Sequence, residues 1–169
     1  MKKLLVTIVA VFMAVVGYAQ TTFNVRIGGG AFGASYYDYY DDDYSEFKAG
    51  AAFAFESNIP LGARINKFVF SPSLFIVSDF EVYTNLNIPL HFGCKVPLGH
   101  GSLFIPKIGP MIGTHTVSDE YYEETDIEFA FGPSAEFSFE IKHFVVAANG
   151  YYDVANSRGG VFCTIGYKF

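Results

Sequence analysis

The sequence is short of most residues from which chemistry is built. Its 169 residues include two cysteines, four histidines and no tryptophan. No metal-ligand spacing, phosphate-cradling glycine loop or nucleotide motif occurs. Basic residues are few: 11 Lys and Arg stand against 17 Asp and Glu, a formal charge of −6. A nucleic-acid partner needs a basic surface to displace counterions, so none is expected. Long apolar runs are missing too. Beyond the first residues nothing approaches the ~20 consecutive apolar residues of a spanning helix, which excludes a helical membrane protein. Cys94 and Cys163 could close a disulfide only in an oxidising compartment. The strand register puts them on the fourth and eighth strands, which are not neighbours, so both are expected as small apolar surface residues.

What the chain has instead is Phe, Tyr and Gly, at 19, 12 and 17 residues, a composition that favours strands with glycine where the backbone bends or crowds. Its start has the pattern of an export signal. Met1-Lys2-Lys3 supplies positive charge, Leu4 to Val16 is apolar but for Thr7, and Gly17-Tyr18-Ala19 places small residues at a cleavage site. Residues 1–19 are therefore expected to be a signal peptide, and 20–169 a single domain beginning at Gln20. No cysteine sits at the cleavage site, so no lipoprotein anchor is expected.

After Gln20 the hydrophobic pattern has period two, the mark of half-buried strands. Phe23, Val25 and Ile27 alternate with Asn24, Arg26 and Gly28; Phe47 to Phe55 alternate with Lys48 to Glu56. Phe68, Phe70, Leu74 and Ile76 form a third set, and Leu86 to Val96 alternate with Asn87, His91 and Lys95. Phe104, Ile108 and Ile112 mark a fifth strand opposite Lys107. Ile127 to Phe139 face away from Glu128, Ser134, Glu136 and Glu140; a seventh strand runs from about Phe144 to Tyr152, and the last from Val161 to Phe169. The expected fold is all-β, an eight-stranded antiparallel up-and-down barrel. Its connections sort by charge. Tyr36 to Ser45, the corner at Asp79 and Glu81, Val117 to Asp126 and Asp153 to Gly159 are acidic. Asn58 to Lys67, Pro97 to Gly101 and Lys142-His143 are basic or neutral. The two kinds alternate along the chain, as a meander requires.

Alternation leaves the direction of the apolar face open, since a lipocalin-like soluble barrel also has eight alternating strands. Three features favour a membrane barrel. The polar face carries small residues and single charges suited to a narrow interior, whereas the other is rich in Phe, Leu, Ile and Val, too bulky for that space. Aromatics recur near strand ends, at Phe47, Tyr83, Phe139, Tyr152, Tyr167 and Phe169, as interfacial girdles do. A closed barrel also satisfies every backbone group, as hydrocarbon demands.

Several segments carry a family resemblance: Gly17-Tyr18-Ala19-Gln20, Ile59-Pro60-Leu61-Gly62, Asn87-Ile88-Pro89-Leu90, Ile108-Gly109-Pro110, and Val161 to the terminal Phe169. In these the chain resembles the outer-membrane β-barrel domain proteins common in Bacteroidetes, and more distantly the small OmpA-like and OmpX-like barrels. The resemblance spans about Gln20 to Phe169. It implies an outer-membrane location and a C-terminal signal, Ile165, Tyr167 and Phe169, read by the barrel-assembly machinery. It assigns no activity.

The inward face collects Arg26, Lys48, Glu56, Lys95, Lys107, Glu128, Glu136 and Glu140. Unpaired charges in a dry tube are costly, so a salt-bridged plug is expected, with Arg26 beside Glu56, and Lys95 and Lys107 beside Glu136 and Glu140. Such a barrel leaves no open aqueous channel. The acidic loops interleave Tyr39 with Asp41, Asp42 and Asp43, and Tyr121 and Tyr122 with Glu123 and Glu124. They are expected to meet the lipopolysaccharide layer through shared divalent cations, or to form a recognition surface for an extracellular ligand. Some eight-stranded barrels act on lipid-A acyl chains, which requires a base beside a nucleophile at the rim. His115, Ser118 and Glu120 lie near one strand end, but nothing in their spacing makes them converge. His91 is expected as a hydrogen-bonded filler. The chain is therefore expected to be a monomeric outer-membrane barrel without enzymatic activity or cofactor, in a structural or surface-interaction role. The alternatives are a small-solute or lipid-binding barrel, lipocalin-like or a narrow pore, and an acyl-chain enzyme.

Overall fold

The structure, a computed structural model, describes residues 21–36, 44–61, 67–80, 83–118 and 125–169. The cleavage site and both long acidic loops fall outside the described residues. Nine strand segments form one antiparallel sheet: β1 Thr22–Tyr36, β2 Tyr44–Leu61, β3 Phe68–Ser78, β4 Tyr83–Cys94, β5 Val96–Gly99, β6 Ser102–Ser118, β7 Thr125–Ile141, β8 Phe144–Asp153 and β9 Arg158–Lys168. Neighbours along the chain are neighbours in the sheet, β1 pairs with β9, and β4 also pairs with β6. The sheet therefore closes into a barrel, with β5 paired on one side only among the described residues.

β4 and β5 are one barrel strand in two pieces, so the count is the expected eight. The single strand expected through Val96 breaks at Lys95, whose amide turns back to the carbonyl of Lys67, and the register with β6 shifts between Pro97 and Gly99. Two other boundaries also move. Asn58 to Leu61, expected in a connection, belong to β2, where Ile59 pairs with Phe70 and Leu61 with Phe68. Pro60 deprives the ladder of one donor, and pairing continues on both sides of it. The last strand begins at Arg158 rather than Val161, because Asp153 fastens a tight turn: its Oδ1 accepts from Ala155 N at 3.0 Å and its Oδ2 from Asn156 Nδ2 at 2.7 Å.

The exposure pattern decides which way the faces point. Phe47 is 81% exposed and Ile108 67%, whereas Arg26, Glu56 and Glu136 are at 1% or less. Apolar side chains coat the outside and ionised ones fill the tube. Cys163 is exposed, Cys94 half-buried, and both are free thiols. The expectation fails for one girdle residue. Tyr83 is 1% exposed and points inward, because it shares strand parity with Asn85 and Asn87. Bulky residues were expected only outside, yet Phe32, Phe75, Met111, Tyr151 and Phe162 also lie buried within. Glycines make the room: a Cβ on Gly50 would stand 2.6 Å from Phe32 Cε1, and one on Gly160 2.7 Å from Phe162 Cε2.

The outer wall is uneven. Across β1, β9, β8 and β7, the residues Gly29, Ala31, Cys163, Ala148, Gly150 and Ala135 line a shallow groove of about 500 Å³. The remaining wall is studded with phenylalanine and isoleucine. At the seam between first and last strands, Gly166 faces Arg26. A Cβ there would overlap the Val25 carbonyl oxygen and stand 2.7 Å from Arg26 Cα. Gly166→Ala is therefore expected to destabilise the barrel by about 1–3 kcal/mol, measured as a lower urea midpoint for protein inserted in lipid vesicles.

Candidate functional site

Period-two alternation places Asn24 and Arg26 of β1, Glu56 and Asn58 of β2, His91 of β4, Lys107 of β6, and Ser134 and Glu136 of β7 on the inner wall. The closure of the sheet then aims them at one another. The Arg26 guanidinium lies 3.1 Å from Glu56 Oε2 and 2.8 Å from Glu136 Oε2 through the same nitrogen. Lys107 Nζ lies 2.6 Å from Glu56 Oε1 and 2.7 Å from Glu136 Oε1. Two cations and two carboxylates thus form a closed quartet in which each charge touches both opposite charges. Glu56 Oε1 also accepts from Asn24 Nδ2 at 3.0 Å and Asn58 Nδ2 at 2.9 Å. All four carboxylate oxygens are bonded, as buried carboxylates require, while Arg26 Nε and Nη1 have no partner among the described residues.

The expected pairings hold in part. Arg26 meets Glu56, and Lys107 meets Glu136, its cross-strand partner. Glu140 differs from expectation, since its ion pair is with Lys168 of β9 rather than with Lys95 or Lys107. At the opposite end Lys48 lies 3.7 Å from Asp79, and Glu128 3.2 Å from Arg158. The quartet's links across the tube, Arg26 to Glu136 and Lys107 to Glu56, were missed; they join strands that are not neighbours. Arg158 and Asp153 were missed because both had been placed in a loop.

Glu56, His91 and Glu136 hold ligand atoms within 4.8 Å of one another, close enough to share a metal ion. The donor set argues against one. Both carboxylates are neutralised by Arg26 and Lys107, and a divalent ion would have to displace Lys107 against its own charge. His91 serves as the expected filler, its Nε2 being 2.9 Å from Ser134 Oγ. His115 is buried with Nδ1 3.8 Å from Asp153 Oδ2 and its ring edge-on to Tyr83 at 6.0 Å. Glu120 and the Tyr39 to Asp43 and Tyr121 to Glu124 segments lie outside the described residues, as does the side chain of Ser118. Phe169 is exposed, and its amide donates to the Phe23 carbonyl at 2.8 Å. No helix among the described residues is long and apolar enough to cross a membrane.

No family model matches the chain, and no curated protein matches it. Solved structures do. Neisserial surface protein A superposes with a TM-score of 0.62 at 9% identity, over 87% of this chain and 95% of that one. Ail, the attachment invasion locus protein of Yersinia pestis, solved with the heparin analogue sucrose octasulfate, gives 0.53 at 12%, over 88% and 99%. The N-terminal β-barrel domain of Pseudomonas aeruginosa OprF gives 0.50 at 12%, over 89% and 98%. At these identities the likeness is one of architecture. The chain has the fold of the small eight-stranded outer-membrane barrels, closed, antiparallel and up-and-down.

Proposed function

We propose that this protein is an integral outer-membrane barrel of the type common in Bacteroidetes, with a structural or surface-interaction role and no enzymatic activity. The observation that carries this reading is the combination of an apolar exterior with an interior closed by paired charges. An exposed apolar wall of this extent is unstable in water and suited to acyl chains, and the quartet blocks the tube against solute flow. The signal at residues 1–19 exports the chain. The barrel-assembly machinery inserts it, recognising Ile165, Tyr167 and Phe169. The meander puts the β1–β2, β3–β4, β6–β7 and β8–β9 connections at one end, and Thr22 with Phe169 at the other. The first end, with its acidic tyrosine-rich loops, faces the cell exterior. Those loops meet lipopolysaccharide through shared cations or bind an extracellular ligand. A polyanion of the kind bound to Ail would be repelled by them, so a cationic or neutral partner fits better.

Heat-modifiability tests the reading. Protein folded into lipid vesicles is expected to migrate faster on a gel unboiled than boiled. Equal migration of the inserted protein, or full solubility without detergent, would remove the membrane assignment.

A further inference from the structure

The strand ladders of this wall are not equally continuous. The register runs without a gap between β1 and β2, β1 and β9, β8 and β9, and β6 and β7. It is interrupted between β2 and β3, between β3 and β4, and between β4 and β6. In the first gap Ser57 and Asn58 stand opposite Ser71 and Pro72. In the second, Ser73 and Leu74 stand opposite Ile88 and Pro89. In the third, Leu90 and His91 stand opposite Gly109 and Pro110. Each gap holds one proline, which has no N–H to offer a neighbouring strand.

The three gaps meet around one piece of wall. Phe68 to Pro72 of β3 pair residue for residue with Leu90 to Cys94 of β4, and the Phe70 and Phe92 rings lie 4.9 Å apart. Toward the loop end this ribbon is cut off by the Pro89 gap. At its other end β4 breaks at Lys95, whose amide donates to the Lys67 carbonyl. Sideways, among the described residues, only Ile59–Phe70, Pro60–Val69 and Leu61–Phe68 join it to β2. Only Phe92–Ile108 and Gly93–Lys107 join it to β6. Neutral hydrogen bonds add to these: Ser71 Oγ donates to Asn58 Oδ1 at 2.6 Å, His91 Nε2 lies 2.9 Å from Ser134 Oγ, and Ser57 Oγ reaches the Pro72 carbonyl at 3.5 Å. No ion pair among the described residues holds the ribbon, because the quartet is built from β1, β2, β6 and β7 alone. Short flanking ladders, cut ends and few side-chain ties are the marks of a unit that opens locally. We infer that Phe68–Pro72 and Leu90–Cys94 form a hinged flap in the barrel wall, swinging about the Lys67–Lys95 contact while the other strands stay zipped. Gly93 lies against Lys107, where a Cβ would stand 2.7 Å from Lys107 Cγ. Lifting the flap therefore uncovers the Lys107 stem and gives a lateral approach to the quartet, whose four ion pairs stay closed.

The test is backbone amide exchange, read by mass spectrometry on the full chain folded into lipid vesicles. Only fast-migrating protein is used, which keeps a failure to insert separate from a failure of the flap. Peptides covering residues 68–72 and 90–94 are expected to exchange together, roughly tenfold or more faster than those from β1 and β9. Pro110→Val restores a donor beside β4 and should slow both arms alike. If that variant fails to fold, a disulfide between Leu61→Cys and Phe68→Cys, in a Cys94→Ala background, ties the ribbon to β2. It should slow exchange in both arms, and its reduction should restore the fast rate. Arms that exchange at unrelated rates, or as slowly as β1, overturn the flap. Exchange unchanged by the restored donor or by the tie overturns it as well.

Discussion

Glu56→Leu is expected to cost the folded barrel about 3–5 kcal/mol, the usual penalty for removing one partner from a buried charge network. The substitution leaves Arg26 and Lys107 sharing Glu136 alone, and takes from Asn24 and Asn58 the acceptor both amides use. The size of the effect comes from the cation left behind more than from the bond lost. A second substitution separates the two. Glu56→Leu combined with Lys107→Met keeps Arg26 on Glu136 as a balanced pair, so the double variant should be more stable than the single. The measurement is urea unfolding in lipid vesicles, followed by loss of the fast-migrating band. A double variant as weak as the sum of the singles would show that the four charges are not coupled.

Ile108→Arg is expected to cost about 2–4 kcal/mol if acyl chains cover the wall, because the charge would sit near the middle of the apolar band. Ile108 is midway along β6, points outward, and lies between Phe92 and Ala135 on the flanking strands. Depth supplies the control. Phe47 is also exposed but lies near the loop end of β2, beside Gly33, and Phe47→Arg should cost about 0–1 kcal/mol. In a water-soluble barrel both substitutions would be nearly neutral. Equal small effects would therefore contradict the proposed location as directly as a failure to insert.

The faces of the strands were readable because parity needs only the sequence: a residue two places from Arg26 must share its side of the wall. Pairings between sequential strands were readable for the same reason: Lys107 and Glu136 are register partners, and Glu56 lies one diagonal step from Arg26, opposite Asn24. The contacts that turn two pairs into a quartet were not readable. Arg26 reaches Glu136 across the tube, and that meeting depends on strand tilt and stagger, which no local pattern encodes. Tyr83 was misassigned for a different reason. Its place near a strand end suggested an interfacial ring, although its parity with Asn85 already pointed inward. Phe32 and Phe162 carried the same parity signal, overruled by the assumption that large rings do not fit a narrow barrel. Arg158 escaped because the hairpin before it is only as tight as the hydrogen bonds made by the Asp153 carboxylate allow.

The flank formed by Gly29, Ala31, Ala148, Gly150 and Cys163 has a consequence for whatever surrounds it. In the proposed membrane setting a hydrocarbon tail lying along those strands would approach the peptide backbone beside Phe137 and Val161, which line the same groove. In that proposed setting the surrounding lipid would lie closer to the backbone on one side than the other, and the molecule would have a front and a back within the plane of the bilayer.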